Sequence, residues 1–252
     1  FASLGRTIMT KIAIIIPTRL EAKRLPNKPL KLIKNKEMIL HVYDLAAKAQ
    51  IGEVYVATPD KQIIDLVKAH GGRSIATQEE HQTGTDRINE VFKKELKEDA
   101  DVIINLQGDM PNLQVSAIKY LAKHMELNSC DIGTLASKLD NNEEMDNENI
   151  CKVITKKDIS NNNFSNAIDF FRLDKKPVGN FIYHHIGIYA FTREALIRYV
   201  GLERSKLEIK RNLEQLRALE DGMKIDVGYI NSYPLSVDTQ EDFDKIKIIM
   251  EN

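Results

Sequence analysis

Little in this 252-residue sequence invites thiolate-metal, redox or membrane chemistry. Its two cysteines, Cys130 and Cys151, form no CxxC pair and have no histidine at zinc-ligand spacing. They read as reduced thiols, and the expected location is cytoplasmic. No apolar stretch approaches the roughly 18–20 residues that a membrane-spanning helix needs. A formal net charge of −1 creates no global field that would draw the chain to nucleic acid or to an anionic membrane. The glycine signatures GxxxxGK[ST] and GxGxxG are missing, as are HExxH and a Ser–His–Asp order. No internal repeat is visible. Any anion binding must therefore come from local clusters of side chains, and the chemistry is charge handling rather than covalent catalysis.

What is present is an alternation of strand and helix patterns. The apolar run Ile12–Ile16, ended by Pro17, predicts a strand buried on both faces. A helix is expected around Ile39–Ala49, a strand at Val54–Thr58, and a helix at Lys61–His70 closed by Gly71 and Gly72. Thr85 is placed to cap a helix carrying Ile88, Val91, Phe92 and Leu96, and Val102–Leu106 is the third buried strand. This repetition predicts an α/β fold, with a mostly parallel central sheet flanked by helices. The segments 140–149 and 156–166 are rich in Asn and charge and read as loops around a short strand, Lys152–Thr155. Beyond them come a strand at His185–Phe191 and a capping box at Ser205–Glu208 whose helix carries Leu213, Leu216 and Leu219. A late strand at Ile225–Tyr229 and a final helix capped by Thr239 complete the pattern. Residues 1–8 precede Met9 and read as an extension. Residues 9–252 read as one domain, with 112–182 as a smaller excursion in its middle.

The candidate chemistry sits at strand ends, where open α/β sheets bind ligands. The loop after the first strand carries Arg19, Lys23, Arg24 and Lys28 against Glu21, stiffened by Pro26 and Pro29. It is either a solvated basic surface or a polyphosphate site. Its lack of interleaved aromatics argues against nucleic acid. Asp109 follows a buried strand and Gly108, while Asp238 precedes the last helix. An Asp at a helix start, as Asp238 is, reads equally as a cap or dipole partner; the two carboxylates would suit Mg²⁺ where the fold brings them together, which their spacing does not decide. Thr83, Gly84, Thr85, Asp86 and Arg87 read either as a helix cap with a surface arginine or as a loop offering backbone amides and a guanidinium to a ligand. His184 and His185 are neighbours beside a strand, so they should face opposite sides, which argues against a two-histidine metal site.

Read together, PTRLEAKRLPNKPL, VATPD, HQTGTDRINE, INLQGDMP, HHIGIYAF, LEQLRALEDG and VDTQED resemble the 3-deoxy-manno-octulosonate (KDO) cytidylyltransferase family from about residue 11 to the end, more weakly over 112–181. The resemblance implies a Rossmann-like nucleotidyltransferase fold and a Mg²⁺-dependent reaction of CTP with KDO, giving CMP-KDO and pyrophosphate for lipopolysaccharide assembly. It also implies a homodimer, with 112–182 serving the sugar side and dimerisation. By the same resemblance Arg19, Arg24 and Lys28 match triphosphate-binding catalytic cations, and Asp109 and Asp238 match metal carboxylates. Thr83, Gly84, Thr85 and Arg87 match the nucleotide loop and Gln107 the cytosine contact. His185, Tyr189, Glu214 and Gln215 match sugar-side positions. Two departures bear on the sugar: Asn166 follows Phe164-Ser165 where the family has arginine, and His184 replaces an arginine before the HxGIY histidine. The alternatives are an enzyme activating sialic acid or an amino-KDO sugar, and a non-catalytic nucleotide-binding module.

Overall fold

The computed structural model describes residues 10–21, 24–139, 142–161, 163–173, 177 and 179–251. The extension expected at residues 1–8 and the loop cation Lys23 lie outside the described residues. The chain opens with β1 (Ile12–Pro17) and a short 3-10 turn at Lys28–Leu30, then the small hairpin β2 (Leu32–Ile33) and β3 (Lys36–Glu37). Next come α1 (Met38–Ala49), β4 (Glu53–Thr58), α2 (Lys61–Ala69), β5 (Ser74–Ala76), α3 (Gly84–Lys94) and β6 (Val102–Leu106). The middle holds α4 (Val115–Leu127), β7 (Ile132–Ser137), α5 (Asn142–Met145), β8 (Lys152–Thr155) and β9 (Phe164–Phe171). The chain then runs through β10 (Phe181–Thr192), α6 (Arg193–Val200), α7 (Lys206–Arg211), α8 (Gln215–Glu220), β11 (Ile225–Tyr229) and α9 (Gln240–Glu251).

A nine-stranded sheet runs in the order β5-β4-β1-β6-β10-β7-β11-β9-β8. Its first four strands are parallel, as the strand–helix alternation predicts. The long β10 enters antiparallel to both β6 and β7, while β7 and β11 pair in parallel. The sheet is therefore mixed, and β10 is its pivot. Both faces are covered, which explains the uninterrupted apolar run in β1. Ile12, Ile14 and Ile16 face one core with α1, α2 and α4, while Ala13 and Ile15 face a second core with α3, α6 and α8.

Several boundaries differ from the sequence reading. Thr83, not Thr85, caps α3: its hydroxyl accepts from the Asp86 backbone N–H, and the Asp86 carboxylate accepts from the Thr83 N–H. Thr85 is instead buried in the first turn. The helix expected after Ser205 is two short helices, because Asn212 adopts a left-handed conformation between α7 and α8. The stretch 112–182 divides. Its α4 and β7 belong to the body of the sheet, and β8 and β9 form the far edge. Part of the Asn-rich segment read as loop is the start of β9.

A third, small core matters most for the site. Leu25 from the cationic loop, Ile33 and Met38 from the hairpin region, and Val237, Phe243 and Ile246 from the C-terminal segment bury one another. The residues beside Leu25 and Val237 in sequence, Arg24 and Asp238, are thereby brought to one place.

Candidate active site

The cationic loop is tied down at both ends. Thr18 N–H donates to the Ala57 carbonyl at 3.0 Å, Leu20 N–H to the Asp60 carboxylate at 2.8 Å, and Asn27 turns the chain in a left-handed conformation. Lys28 then points inward. Its ammonium donates to the Val237 carbonyl at 2.8 Å and lies 3.3 Å from both Asp109 Oδ2 and Asp238 Oδ1. Arg24 reaches the other oxygen of Asp238, Oδ2, at 3.2 Å. A backbone bond from Val237 N–H to the Asp109 carbonyl, 2.9 Å, stitches the two acidic segments together. Two carboxylates 129 positions apart along the numbering thus converge on one cation. Burial opposes the Lys28 charge, yet Asp109 and Asp238 outweigh it and hold the ammonium pKa above the ordinary lysine value.

The same pair fits a hard divalent ion. Both donors are carboxylate oxygens already gathered round a positive charge, and the Asp238 side chain is 43% exposed, leaving room for waters and phosphate oxygens.

A cavity of about 730 Å³ runs from these residues along β10 toward α8. Arg24, Asp109 and Asp238 line one end; His185, Tyr189, Glu214 and Gln215 line the other. A smaller cavity of about 160 Å³ lies beside it, walled by Arg19, Thr83, Gly84 and Arg87. Gln107 lines both, so it stands at their junction. Behind that junction runs a hydrogen-bonded chain: Gln107 Nε2 donates to Asn105 Oδ1 at 3.0 Å, Asn105 Nδ2 to Thr85 Oγ1 at 3.3 Å, and Thr85 Oγ1 to Glu214 Oε2 at 3.1 Å. The guanidinium of Arg87 bonds the Thr77 hydroxyl at 2.5 Å and the Gln78 and Glu79 carbonyls, so it braces the loop before α3.

The far end of the large cavity is buried. His185 Nε2 meets Thr134 Oγ1 at 2.9 Å, and burial pushes the imidazole pKa down to about 3, leaving it neutral. Burial likewise lifts the Tyr189 hydroxyl and Glu214 carboxyl above their usual values, with hydrogen bonds from Thr83 and Thr85 opposing the shift at Glu214. Gln215 Nε2 lies 3.5 Å from Cys151 Sγ. A buried ion pair, Arg217 to Glu208 at 2.7 and 2.8 Å, locks α7 to α8 and so fixes the turn that presents Glu214 and Gln215. His184 and His185 both line the cavity despite being neighbours. His184 Nδ1 lies 3.6 Å from Glu144, and its ring packs against Tyr233.

The reading of Asn166 requires correction. Its amide donates to Asp226 at 2.6 Å in a separate hollow, away from the large cavity. Arg172, just past the end of β9, lines the cavity instead. Arg172 stands six positions after Asn166, at the end of AIDFFR, and its guanidinium donates to the Asn149 carbonyl at 2.7 Å. Lys152 was also missed. Fully buried, it donates to the Asn147 carbonyl at 2.6 Å and the Arg172 carbonyl at 2.5 Å, holding two segments that line the cavity.

A family model described as cytidylyltransferase matches residues 13–225. Over 241 residues the chain is 40% identical to a 3-deoxy-manno-octulosonate cytidylyltransferase of Brucella anthropi, covering 95% of this chain and 96% of that one. A solved CMP:2-keto-3-deoxy-manno-octonic acid synthetase complexed with CTP superposes with a TM-score of 0.87 at 33% identity, covering 96% of this chain and 99% of its own. A nucleotidyl transferase from Methanothermobacter, at 13% identity and a TM-score of 0.66, shares the fold. The architecture is a Rossmann-like nucleotidyltransferase fold, and the chain belongs to the 3-deoxy-manno-octulosonate cytidylyltransferase family.

Proposed function

We propose that this chain transfers CMP from CTP to the anomeric hydroxyl of KDO and releases pyrophosphate. The observation that carries the reading is the convergence of Asp109 and Asp238 on Lys28, at the mouth of a two-part cavity joined at Gln107. The smaller compartment, walled by Arg19 and the Thr83–Arg87 turn, suits the nucleotide. The buried end around His185, Tyr189, Glu214 and Gln215 suits the sugar, and the carboxylate–lysine cluster lies where triphosphate and acceptor would meet.

Asp109 and Asp238 would hold Mg²⁺, which when bound neutralises triphosphate charge and lowers the pKa of a coordinated hydroxyl. The attacking hydroxyl gives up its proton to solvent and forms a bond to the α-phosphorus as the bond to the pyrophosphate oxygen breaks on the opposite side. Lys28, Arg24 and Arg19 stabilise the charge that builds on the leaving pyrophosphate. Neutral His185 and Tyr189 orient sugar hydroxyls, while Arg172 supplies the cation that an acidic sugar's carboxylate needs. A role in lipopolysaccharide assembly, a cytoplasmic location and a homodimer belong to the same proposal. Among the described residues no helix is long and apolar enough to cross a membrane.

The test is pyrophosphate release from CTP with KDO, an amino-substituted KDO or sialic acid as acceptor, with and without Mg²⁺. Release that requires both KDO and Mg²⁺ is expected. Release with sialic acid or amino-KDO alone would reassign the acceptor, and none with any acceptor would leave a binding module.

A further inference from the structure

The hollow that holds Asn166 lies apart from the active-site cavity and shares no lining residue with it. It measures about 680 Å³ and is bounded by α4, the β8–β9 connection and Asp226 of β11. At its base the ligand atoms of His124, Cys130 and Asp226 all lie within 4.8 Å of one another. The spacing rules that excluded zinc from the sequence could not see this group, because Asp226 arrives from a strand about a hundred residues downstream.

We propose that His124, Cys130 and Asp226 form a binding site for a borderline-soft divalent cation of the zinc type, with its fourth position open to the hollow. The donor set is one imidazole, one thiol and one carboxylate, a combination that suits zinc and not magnesium. His124 Nε2 is already 2.8 Å from Asp226 Oδ2. With metal–ligand bonds of about 2.0–2.3 Å, a tetrahedral ion needs these atoms to part by only about half an ångström and the sulfur to close by about an ångström.

The surroundings fix the ligands as an outer shell does. Asn166 holds the second oxygen of Asp226 at 2.6 Å, and the Asn128 amide nitrogen lies 3.1 Å from His124 Nδ1; metal binding at Nε2 needs that amide to turn so that its oxygen accepts from Nδ1–H. The imidazole is stacked on Phe164 at 3.5 Å between ring centres, nearly parallel. That ring in turn lies flat on Gly228, where a Cβ would come within 2.4 Å of Phe164 Cζ. The Cys130 sulfur lies 3.5 Å from the Met125 thioether, and burial together with the Asp226 carboxylate it hydrogen-bonds pushes the thiol up to about 12, a cost that a metal–thiolate bond has to offset. Binding releases the thiol proton to solvent, and the sulfur lone pair makes the bond. The resulting thiolate and the Asp226 carboxylate balance the dication, while Lys123, Lys156 and Lys157 stand exposed around the hollow.

Titration of the chelator-treated full chain with Co²⁺ tests this, because a thiolate–cobalt bond gives a charge-transfer absorption that oxygen ligands in the active site cannot produce. One equivalent of Co²⁺ should generate the band and Zn²⁺ should displace it. Cys130→Ala should abolish the band, Cys151→Ala should keep it, and His124→Gln, which retains the thiol, should weaken Co²⁺ binding at least about 10-fold. Absence of the band in the native chain, its survival in Cys130→Ala, or unchanged Co²⁺ affinity in His124→Gln would each overturn the site. The His124→Gln arm decides the matter if Cys130→Ala fails to fold. None of these readouts depends on nucleotide or sugar turnover.

Discussion

The two ends of the large cavity are built on opposite physical plans. At one end Arg24, Lys28, Asp109 and Asp238 are partly exposed and pair with one another through contacts of about 3 Å. At the other, burial keeps His185 and Tyr189 neutral and raises the Glu214 carboxyl above its usual value. The charged end can bind a polyanion and a hard cation and stabilise charge that moves during a reaction. The buried end can read shape and hydroxyl positions, with the hydrogen bonds of His185 and Tyr189 keeping their polarity near neutral pH. Under the proposed function the first would serve turnover and the second acceptor selection.

Variants at each end sharpen that contrast. The largest expected effect is at the charged end. Lys28→Ala should lower kcat by about 10²-fold or more, the scale of losing one transition-state donor, and should leave Asp109 and Asp238 to repel each other. Unchanged turnover in a steady-state pyrophosphate assay would remove Lys28 from the reaction. At the buried end, Arg172→Ala should raise KM for the sugar by roughly 10–100-fold, the worth of a charge-assisted hydrogen bond, with KM for CTP little changed. An equal rise in both would contradict the division of labour.

The third expected effect is on folding. Ile246→Ala in the small core should cost roughly 2–5 kcal/mol in denaturant unfolding and weaken activity through Asp238, since that core packs the C-terminal segment against the cationic loop. The smallest is a pH effect. The unfolded chain protonates His185 near its ordinary 6.5 while the folded chain resists until about 3, so the unfolded state binds more protons between those values. Stability should fall as pH drops through that window, by roughly 1 kcal/mol per pH unit from this group. In His185→Gln that acid dependence should flatten; a constant stability difference from pH 7 to pH 4 would contradict a neutral, buried imidazole.

The sequence showed the parallel half of the fold most clearly, because strands buried on both faces leave unbroken apolar runs such as Ile12–Ile16 and Val102–Leu106. Strand β9 was hidden by its composition: Phe164-Ser165-Asn166 closes an Asn-rich stretch, and only pairing with β8 and β11 makes it a strand. The candidate residues of the cationic loop, Asp109 and Asp238 could be named individually from their places at strand and helix ends. Their meeting could not, because it depends on Leu25 and Val237 sharing a core that no local pattern encodes. Lys152 gave no signal at all, since a lysine inside a short strand reads as an exposed edge until its two carbonyl partners are seen.

The central claim is that Asp109 and Asp238 act as a single cation site. Mg²⁺ titration of CTP- and KDO-dependent pyrophosphate release in Asp109→Asn, Asp238→Asn and the double variant tests it most directly. Each single substitution should raise the half-saturating Mg²⁺ concentration at least about 10-fold, and the double variant should lose far less than the product of the two, as residues sharing one ligand do. A normal Mg²⁺ titration in either single variant, or losses that simply multiply, would contradict it.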